Sequence, residues 1–281
     1  MIDLHLHTNL SDGTFTPIET VGQVIASGCK LFSITDHDSA RANGEVVEEL
    51  KRQNSDIKYI TGTEMSSNFM GKNLHLLCYD FDLENKDIKK MFAHATQLRK
   101  DRALELLFHL KDKYKIHIPE SDIKELLKQR IIAKPHIAGL VIKNGLTDLS
   151  MGDFITKYID EIDNKDLKPK AEEVISTVHK AGGFVSFAHP LEVQREYGLC
   201  YNGLDKFIKN LKGEKLDCIE AYHSIHNAER IEQYKTLAKK HKLLLTAGSD
   251  FHGSHPQRKI GVVSRCGITV GDELLKQLPL K

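Results

Sequence analysis

Ile2-Asp3-Leu4-His5-Leu6-His7 opens the chain as a short apolar run that delivers two imidazoles, and the same ending recurs along the sequence. Asp36-His37 follows LFSIT, Glu64 follows Gly62-Thr63, His189 follows FVSFA, and Ser249-Asp250-Phe251-His252 follows LLLTAG. Each run reads as a buried strand that ends in His, Asp or Glu. Side chains alternate along a strand, so His5 and His7 share one face. Taken singly, every run has an ordinary reading: two half-exposed histidines, or a polar turn after a buried strand. The joint pattern carries the weight, because unrelated loops would mix in Ser, Asn and Lys.

Strand signals fall near 2–6, 31–35, 58–63, 73–78, 184–188, 217–221 and 243–247, with helices between most of them. Thr16-Pro17-Ile18-Glu19 combines an N-cap, an early proline and a capping-box glutamate, and Gly28 closes that helix. Residues 171–181 and 227–240 read as further helices, each feeding a strand. This alternation predicts a parallel sheet, and seven such units predict an α/β barrel, closed or nearly so. Barrel chemistry gathers at the C-terminal strand ends, where these residues lie. His75 sits inside its run, so that strand is expected to be irregular or antiparallel.

From Leu83 to Lys168 the rhythm breaks. A long helix over about 85–113 is followed by helical segments near 121–129, 135–144 and 150–160, with only the short KIHI reading as strand. We therefore expect residues 1–83 and 169–281 to form the barrel and 84–168 a helical insertion capping its mouth.

Composition narrows the function. The chain has 281 residues and a formal net charge of +1, so no global field attracts nucleic acid or a membrane, and a polyanion must be gripped locally. Cys29, Cys78, Cys200, Cys218 and Cys266 form no C-x-x-C pair and predict reduced, mostly buried thiols. With no signal peptide and no apolar run of membrane-spanning length, a cytoplasmic protein is expected. The candidate metal ligands are His5, His7, Asp12, His37, Glu64, His75, His189, Asp250 and His252. Imidazole and carboxylate without thiolate suit Mn²⁺, Fe²⁺ or Zn²⁺, and these ligands are too many for one ion. Two or three divalent ions are expected.

In this order the motifs LHLHT-x-x-SDG, ITDHD, GTE, the lone His75, AHP and GSDFHG resemble the polymerase-and-histidinol-phosphatase (PHP) superfamily of metal-dependent phosphoesterases. The helical insertion and Lys134-Pro135-His136-Ile137-Ala138 resemble its TrpH-type branch, which carries R-P-H-x-A. The resemblance implies a distorted (β/α)7 barrel and a trinuclear centre. His5, His7, Glu64 and Asp250 would hold the first ion, and Glu64, His75 and His189 the second. Asp12, His37 and His252 would hold the third. Asp12, His37, Glu64, His189 and His252 are the implied catalytic set, using a metal-bridging hydroxide on a phosphoester. Lys134, His136, Ser224 and His226 are the candidate substrate contacts, and His223 is as readily turned away as inward.

Two departures from the branch stand out. Lys134 replaces its arginine, exchanging a bidentate fork for a point charge. Leu191-Glu192-Val193, then Arg195 and Tyr197, replace the Gly-Arg-Tyr that often follows the AHP motif. His94, His109, His117, His179 and His241 fall on helices or turns and read as surface histidines.

The expected substrate is small: a nucleoside monophosphate, a 3′,5′-bisphosphate nucleotide or the 5′ end of a short oligonucleotide. Long duplex nucleic acid is not expected, for want of a basic stripe. Histidinol-phosphate phosphatase is an alternative reading, as is a non-catalytic metal-binding regulatory module. The helical insertion disfavours the first, and the complete ligand set disfavours the second.

Overall fold

The computed structural model describes residues 1–160, 162, 167–253 and 258–280. Five of the expected strands appear as β1 (Ile2–Leu6), β2 (Leu31–Ile34), β6 (Phe184–Phe187), β7 (Cys218–His223) and β8 (Leu244–Gly248). The run at 58–63 divides: β3 covers only Lys58–Tyr59, and β4 begins at Gly62 and runs to Phe69. Gly62 permits that break, since a Cβ there would come within 2.0 Å of Ser33 Oγ on β2.

The strand carrying His75, β5 (Lys72–Tyr79), is antiparallel to both β4 and β6. Met70 and Gly71 explain this, with φ of 50° and 70°. Two residues with positive φ form the tight hairpin turn whose twist matches paired strands.

The strands form two sheets, ordered β1-β2-β3 and β4-β5-β6-β7-β8, where a distorted seven-stranded barrel, closed or nearly so, was expected; the hydrogen-bonded ladders do not close one among the described residues. Among the described residues, isolated bridges of Leu6 with Phe251 and His37 with Glu64 join them. Packing completes the enclosure. Ile2 and Leu4 of β1, Leu31 of β2, Leu77 and Tyr79 of β5 and Ala247 of β8 share one buried cluster, and the Tyr79 hydroxyl donates to Leu4 O at 2.8 Å. The result is a mixed α/β fold whose sheets face each other across a common core.

Helices cover the outside. Helix α1 (Pro17–Ser27) has the expected capping box between Thr16 and Glu19, and Gly28 ends it in the left-handed conformation. It packs with α2 (Ala42–Arg52) over β1 and β2. Helices α7 (Ala171–Lys180), α9 (Tyr201–Gly213) and α10 (Ala228–His241) cover the larger sheet. The stretch after His189 is not an open loop: α8 (Pro190–Glu196) starts directly on it and leads to α9.

Between β5 and α7 the chain runs through α3 (Lys86–Tyr114), α4 (Glu120–Leu126), α5 (Lys134–Lys143), α6 (Met151–Phe154) and a π-helical turn, Ile155–Ile159. Residues 115–119, which include KIHI, are not strand. Residues 161 and 163–166 of the expected insertion lie outside the described residues.

Leu106, Leu110, Ile137, Val141 and Phe154 form a hydrophobic cluster within this segment. Burial of each such side chain contributes about 1.5–3 kcal/mol. The first half of α3 packs instead on the main core through Ile88 and Ala95, so one helix ties both bodies together. No helix among the described residues is long and apolar enough to cross a membrane. The five cysteines are free, with Cys29, Cys78 and Cys218 buried but Cys200 and Cys266 exposed.

Candidate metal centre

The strand ends converge. His5 and His7, carried on and just after β1, are fully buried, and both Nε2 atoms face the same two carboxylates. His5 Nε2 lies 3.3 Å from Glu64 Oε2 and 3.4 Å from Asp250 Oδ1, and His7 Nε2 lies 3.1 and 3.3 Å from the same atoms. Beside them, Asp12 Oδ1 is 3.3 Å from His252 Nε2, and Asp12 Oδ2 is 3.5 Å from His37 Nε2. Glu64 Oε1 receives His75 Nδ1 at 2.8 Å and His189 Nε2 at 2.9 Å. Glu64 thus stands at the centre, touching His5, His7, His37, His75 and His189.

His75 and His189 hydrogen-bond to Glu64, but the wider contacts are not ordinary hydrogen bonds. His5 Nε2, His7 Nε2, His37 Nδ1 and Asp12 Oδ1 are buried without a hydrogen-bond partner among the described residues, although oxygens or nitrogens stand 3.1–3.6 Å away. Metal–ligand bonds of about 2.1 Å place neighbouring ligand atoms roughly 3.0 Å apart at right angles and roughly 3.4 Å apart in a tetrahedron. The observed spacings match those edges. The donor set therefore fits hard or borderline divalent cations. Two such groupings are His5, His7, Glu64, Asp250 and His7, Asp12, His37, His252, each with ligand atoms within 4.8 Å of one another.

The electrostatics agree. Burial disfavours charge on every one of these groups, yet Asp250 and Glu64 raise His7 to about 10. Burial alone would raise Glu64; instead the His75, His5 and His37 imidazoles hold it well below the usual carboxylate range. A site that stabilises imidazolium so strongly carries a dense negative potential, and the same potential draws in divalent cations.

A second layer of contacts orients these candidate ligands. Glu220, buried at the middle of β7, accepts from His5 Nδ1 at 3.0 Å and from the His189 backbone N–H at 2.7 Å. That contact selects the tautomer that leaves His5 Nε2 free to ligate. The Asp250 carbonyl similarly accepts from His252 Nδ1 at 2.9 Å, which aims His252 Nε2 at Asp12.

Asp36 does not ligate. It accepts from Thr8 N, Thr8 Oγ1 and Ser11 Oγ at 2.6–2.7 Å, which folds the turn that presents Asp12. Gly248 is required by proximity, because a Cβ there would lie 2.1 Å from the His5 Cβ and 2.7 Å from Glu220 Oε1. His189 and Asp250 hold positive φ values of 25° and 54°, a costly conformation for residues with side chains and one found where a site over-determines the backbone.

Sequence reasoning left three residues unassigned here. His223 turns inward: it is fully buried, with Nε2 3.6 Å from Asp250 Oδ2 and a place in a third grouping with His5 and Glu220. Arg258 pairs with Asp250 from a segment with no strand signal. Glu220 was visible only as a lone acid inside the apolar run CIEAYH.

The substrate candidates are placed unevenly. A cavity of about 280 Å³ opens on the cluster, lined by Asp12, His37, His75 and His189 on one wall and by Arg99, Arg102, Lys134 and Lys168 on the other. Lys134 reaches it, but is half exposed and paired with Asp160 at 2.6 Å. His136 does not line it; its Nδ1 accepts from the Ala133 backbone N–H at 3.0 Å, capping α5. Ser224 and His226 do not line it either. His226 is fully buried behind His223, its Nδ1 donating to Ala221 O at 2.9 Å, so substrate contact is not where the fold puts it. His179 and His241 hydrogen-bond to Asp217 and Asp205, each at 2.7 Å.

Arg99 is engaged structurally. Its Nε donates to Asp38 Oδ2 at 2.5 Å and its Nη2 to Ser66 Oγ at 3.0 Å, binding α3 to the loop after His37. Both partners are buried. Breaking such a pair by removing one member costs about 3–5 kcal/mol.

Comparison with known proteins agrees with this geometry. The PHP domain model matches residues 3–249. A 5′-3′ exoribonuclease Rnm of Escherichia coli is 26% identical over 92% of this chain and 87% of its own length. A 3′,5′-nucleoside bisphosphate phosphatase of Chromobacterium violaceum is 22% identical over 89% of this chain and 87% of its own length. A Bifidobacterium adolescentis crystal structure assigned to the metal-dependent phosphoesterases superposes with a TM-score of 0.79 at 28% identity, covering 98% of this chain and 94% of that one.

Proposed function

The chain belongs to the PHP domain family and is a metal-dependent hydrolase of phosphoric esters; from that premise we propose that its substrate is a small nucleotide. A nucleoside monophosphate, a 3′,5′-bisphosphate nucleotide and the 5′ end of a short oligonucleotide form the class. One observation carries the reading: a buried imidazole–carboxylate cluster and a wall bearing arginine and lysine face the same cavity. A cavity of about 280 Å³ suits a mononucleotide-sized ligand and excludes a duplex. The relatives named for exoribonuclease and nucleoside bisphosphate phosphatase activity point to the same chemical class.

In this reading His5, His7, Glu64 and Asp250 hold one ion. His75 and His189 share Glu64 to hold a second, and Asp12, His37 and His252 hold a third. Bound divalent ions supply an acidified water near neutral pH and neutralise the phosphoryl oxygens. The chain does the rest. Glu220 and the Asp250 carbonyl orient the His5 and His252 imidazoles, so no reorganisation is needed as charge develops. His189, His37 and Asp12 border the cavity and form the face that meets the reacting phosphate. The helices of residues 84–168 act as a cap that excludes water and positions the part of the substrate beyond that phosphate, with Lys134 at the start of α5 as one contact.

The test is a substrate panel with Mn²⁺-loaded protein: adenosine 3′,5′-bisphosphate, AMP, a 5′-phosphorylated diribonucleotide, histidinol phosphate and an aryl phosphate. Higher kcat/KM on the nucleotides than on histidinol phosphate is the expected result. Preference for histidinol phosphate, or no turnover of any nucleotide, would overturn the reading.

A further inference from the structure

Helix α8 stands between two cavities. Glu192, Val193 and Glu196 line the one over the metal centre, whereas Leu191, Gln194 and Arg195, at helical spacing on one face, line a second of about 500 Å³. The two cavities share no lining residue. Arg230 of α10 and Arg265 of the C-terminal segment bring the guanidinium groups around the second cavity to three, and no carboxylate lines it among the described residues. Its walls are tied in place. The Arg265 backbone N–H donates to His226 O at 2.9 Å, and the Leu199 N–H donates to Gln194 O at 2.9 Å, closing the turn from α8 into α9. Gln194 Oε1 in turn accepts from the buried Tyr234 hydroxyl at 2.7 Å.

The three cations have no counter-charge of their own. Arg195 and Arg265 make no side-chain hydrogen bond or ion pair among the described residues, and Arg230 Nη1 donates to the neutral Gln233 Oε1 at 2.9 Å. The acids beside them in sequence are engaged elsewhere: Glu196 accepts from Asn73 Nδ2 at 3.3 Å, and Glu229 from Gln233 Nε2 at 3.1 Å. A concavity lined by one sign of charge focuses its field inward, so these guanidinium groups act together on whatever enters. The thirteen-residue helix α9 adds to that field. Its N-cap, Cys200, lines the cavity without a side-chain cap, and no acidic residue stands in its first turn. Leu191, Leu199 and Ile225 give the same cavity an apolar edge.

We propose that this second cavity is a non-catalytic anion site for a small phosphate-bearing ligand, separate from the metal centre and on the far face of α8. Arg195, Arg230 and Arg265 hold the phosphate, and Leu191, Leu199 and Ile225 meet any apolar remainder. Each guanidinium presents a planar fork that matches two phosphate oxygens, which a lysine could not do. A volume of about 500 Å³ admits a ligand of mononucleotide size. Two sources share this chemistry. Inorganic phosphate needs the arginines alone, whereas a nucleoside monophosphate also covers the apolar edge with its base.

Cys200, exposed at the rim, makes occupancy readable without turnover. Alkylation of Cys200 by iodoacetamide is followed by peptide mass mapping while inorganic phosphate, or the non-hydrolysable phosphonate analogue of AMP, is titrated in. Wild type, Arg195→Gln, Arg265→Gln and His37→Ala are compared. Either anion should protect Cys200 in wild type, and each arginine variant should raise the half-protecting concentration about tenfold or more, the loss of one charge-assisted contact. His37→Ala, which alters the other cavity, should protect as wild type does. Both arginines are exposed and lie on separate segments, so a folding defect in one variant leaves the other decisive. Tighter protection by the phosphonate analogue identifies a nucleotide, and protection by phosphate at equal or lower concentration identifies the free ion. No protection by either anion overturns the site. So does protection that both arginine variants retain unchanged, or that His37→Ala abolishes. Because alkylation does not pass through hydrolysis, the result stands whichever ester the metal centre cleaves.

Discussion

The two walls of the cavity are built on opposite electrostatic plans. On the strand-end wall every imidazole meets a carboxylate, and Glu64 alone touches five of them. On the helical wall Arg102 and Lys168 line the cavity, with only partial counter-charge from Asp38 and Glu196 among the described residues. The first wall is a trap for cations and the second a trap for anions. In the proposed reading a phosphorylated substrate lies between them, its reacting phosphate toward the strand ends and the remainder toward the helices. This division would let a chain with a net charge of +1 hold an anionic substrate. The field is local and the dielectric is low, so the whole-molecule charge matters little.

The largest effect should come from the centre of the strand-end wall. Glu64→Gln removes the carboxylate common to several groupings, so metal content should fall by more than one ion per chain, and activity by about three orders of magnitude or more. Elemental analysis after reconstitution measures the first. Wild-type protein that retains one ion or fewer would break the contrast between the walls at its root.

His37→Ala should follow, with kcat lowered about 10²- to 10³-fold and thermal stability nearly unchanged, because His37 stands at the cavity edge and not in a core. Full turnover at saturating Mn²⁺ would remove His37 from the ligand set. Glu220→Gln sharpens the comparison one layer deeper. It keeps the shape but loosens control of the His5 tautomer, and should weaken metal affinity about 10- to 100-fold, as read by competition with a chelator. An unchanged affinity would make Glu220 a packing residue only.

Much of this site can be read along the chain, and the reasons are local. A strand ending in His, Asp or Glu is visible because apolar runs and their polar ends are adjacent in sequence, as at His7, His37, Glu64, His189 and Asp250. His75 was recognisable as the exception, and the positive φ values at Met70 and Gly71 show why its strand reverses. Helix α1 declared itself through Thr16, Glu19 and Gly28, a signal contained within one element.

Tertiary structure alone decided the rest. Whether His223 or His226 turns inward depends on where β7 lies against β8 and α10, and periodicity carries no information about neighbours. Glu220 acquires a purpose only because β7 brings it against His5, 215 residues away. Closure of the barrel was beyond the sequence for the same reason: the strand signals locate the strands, though the run at 58–63 divides in two, but hydrogen-bonded closure depends on register and hairpin geometry, and here packing joins what the ladders leave open. Arg102 and Lys168 look like ordinary solvated cations in sequence. Only the fold buries one, half-buries the other, and sets both across a cavity from the ligands, because burial and unmet charge are properties of position in space and not of residue type.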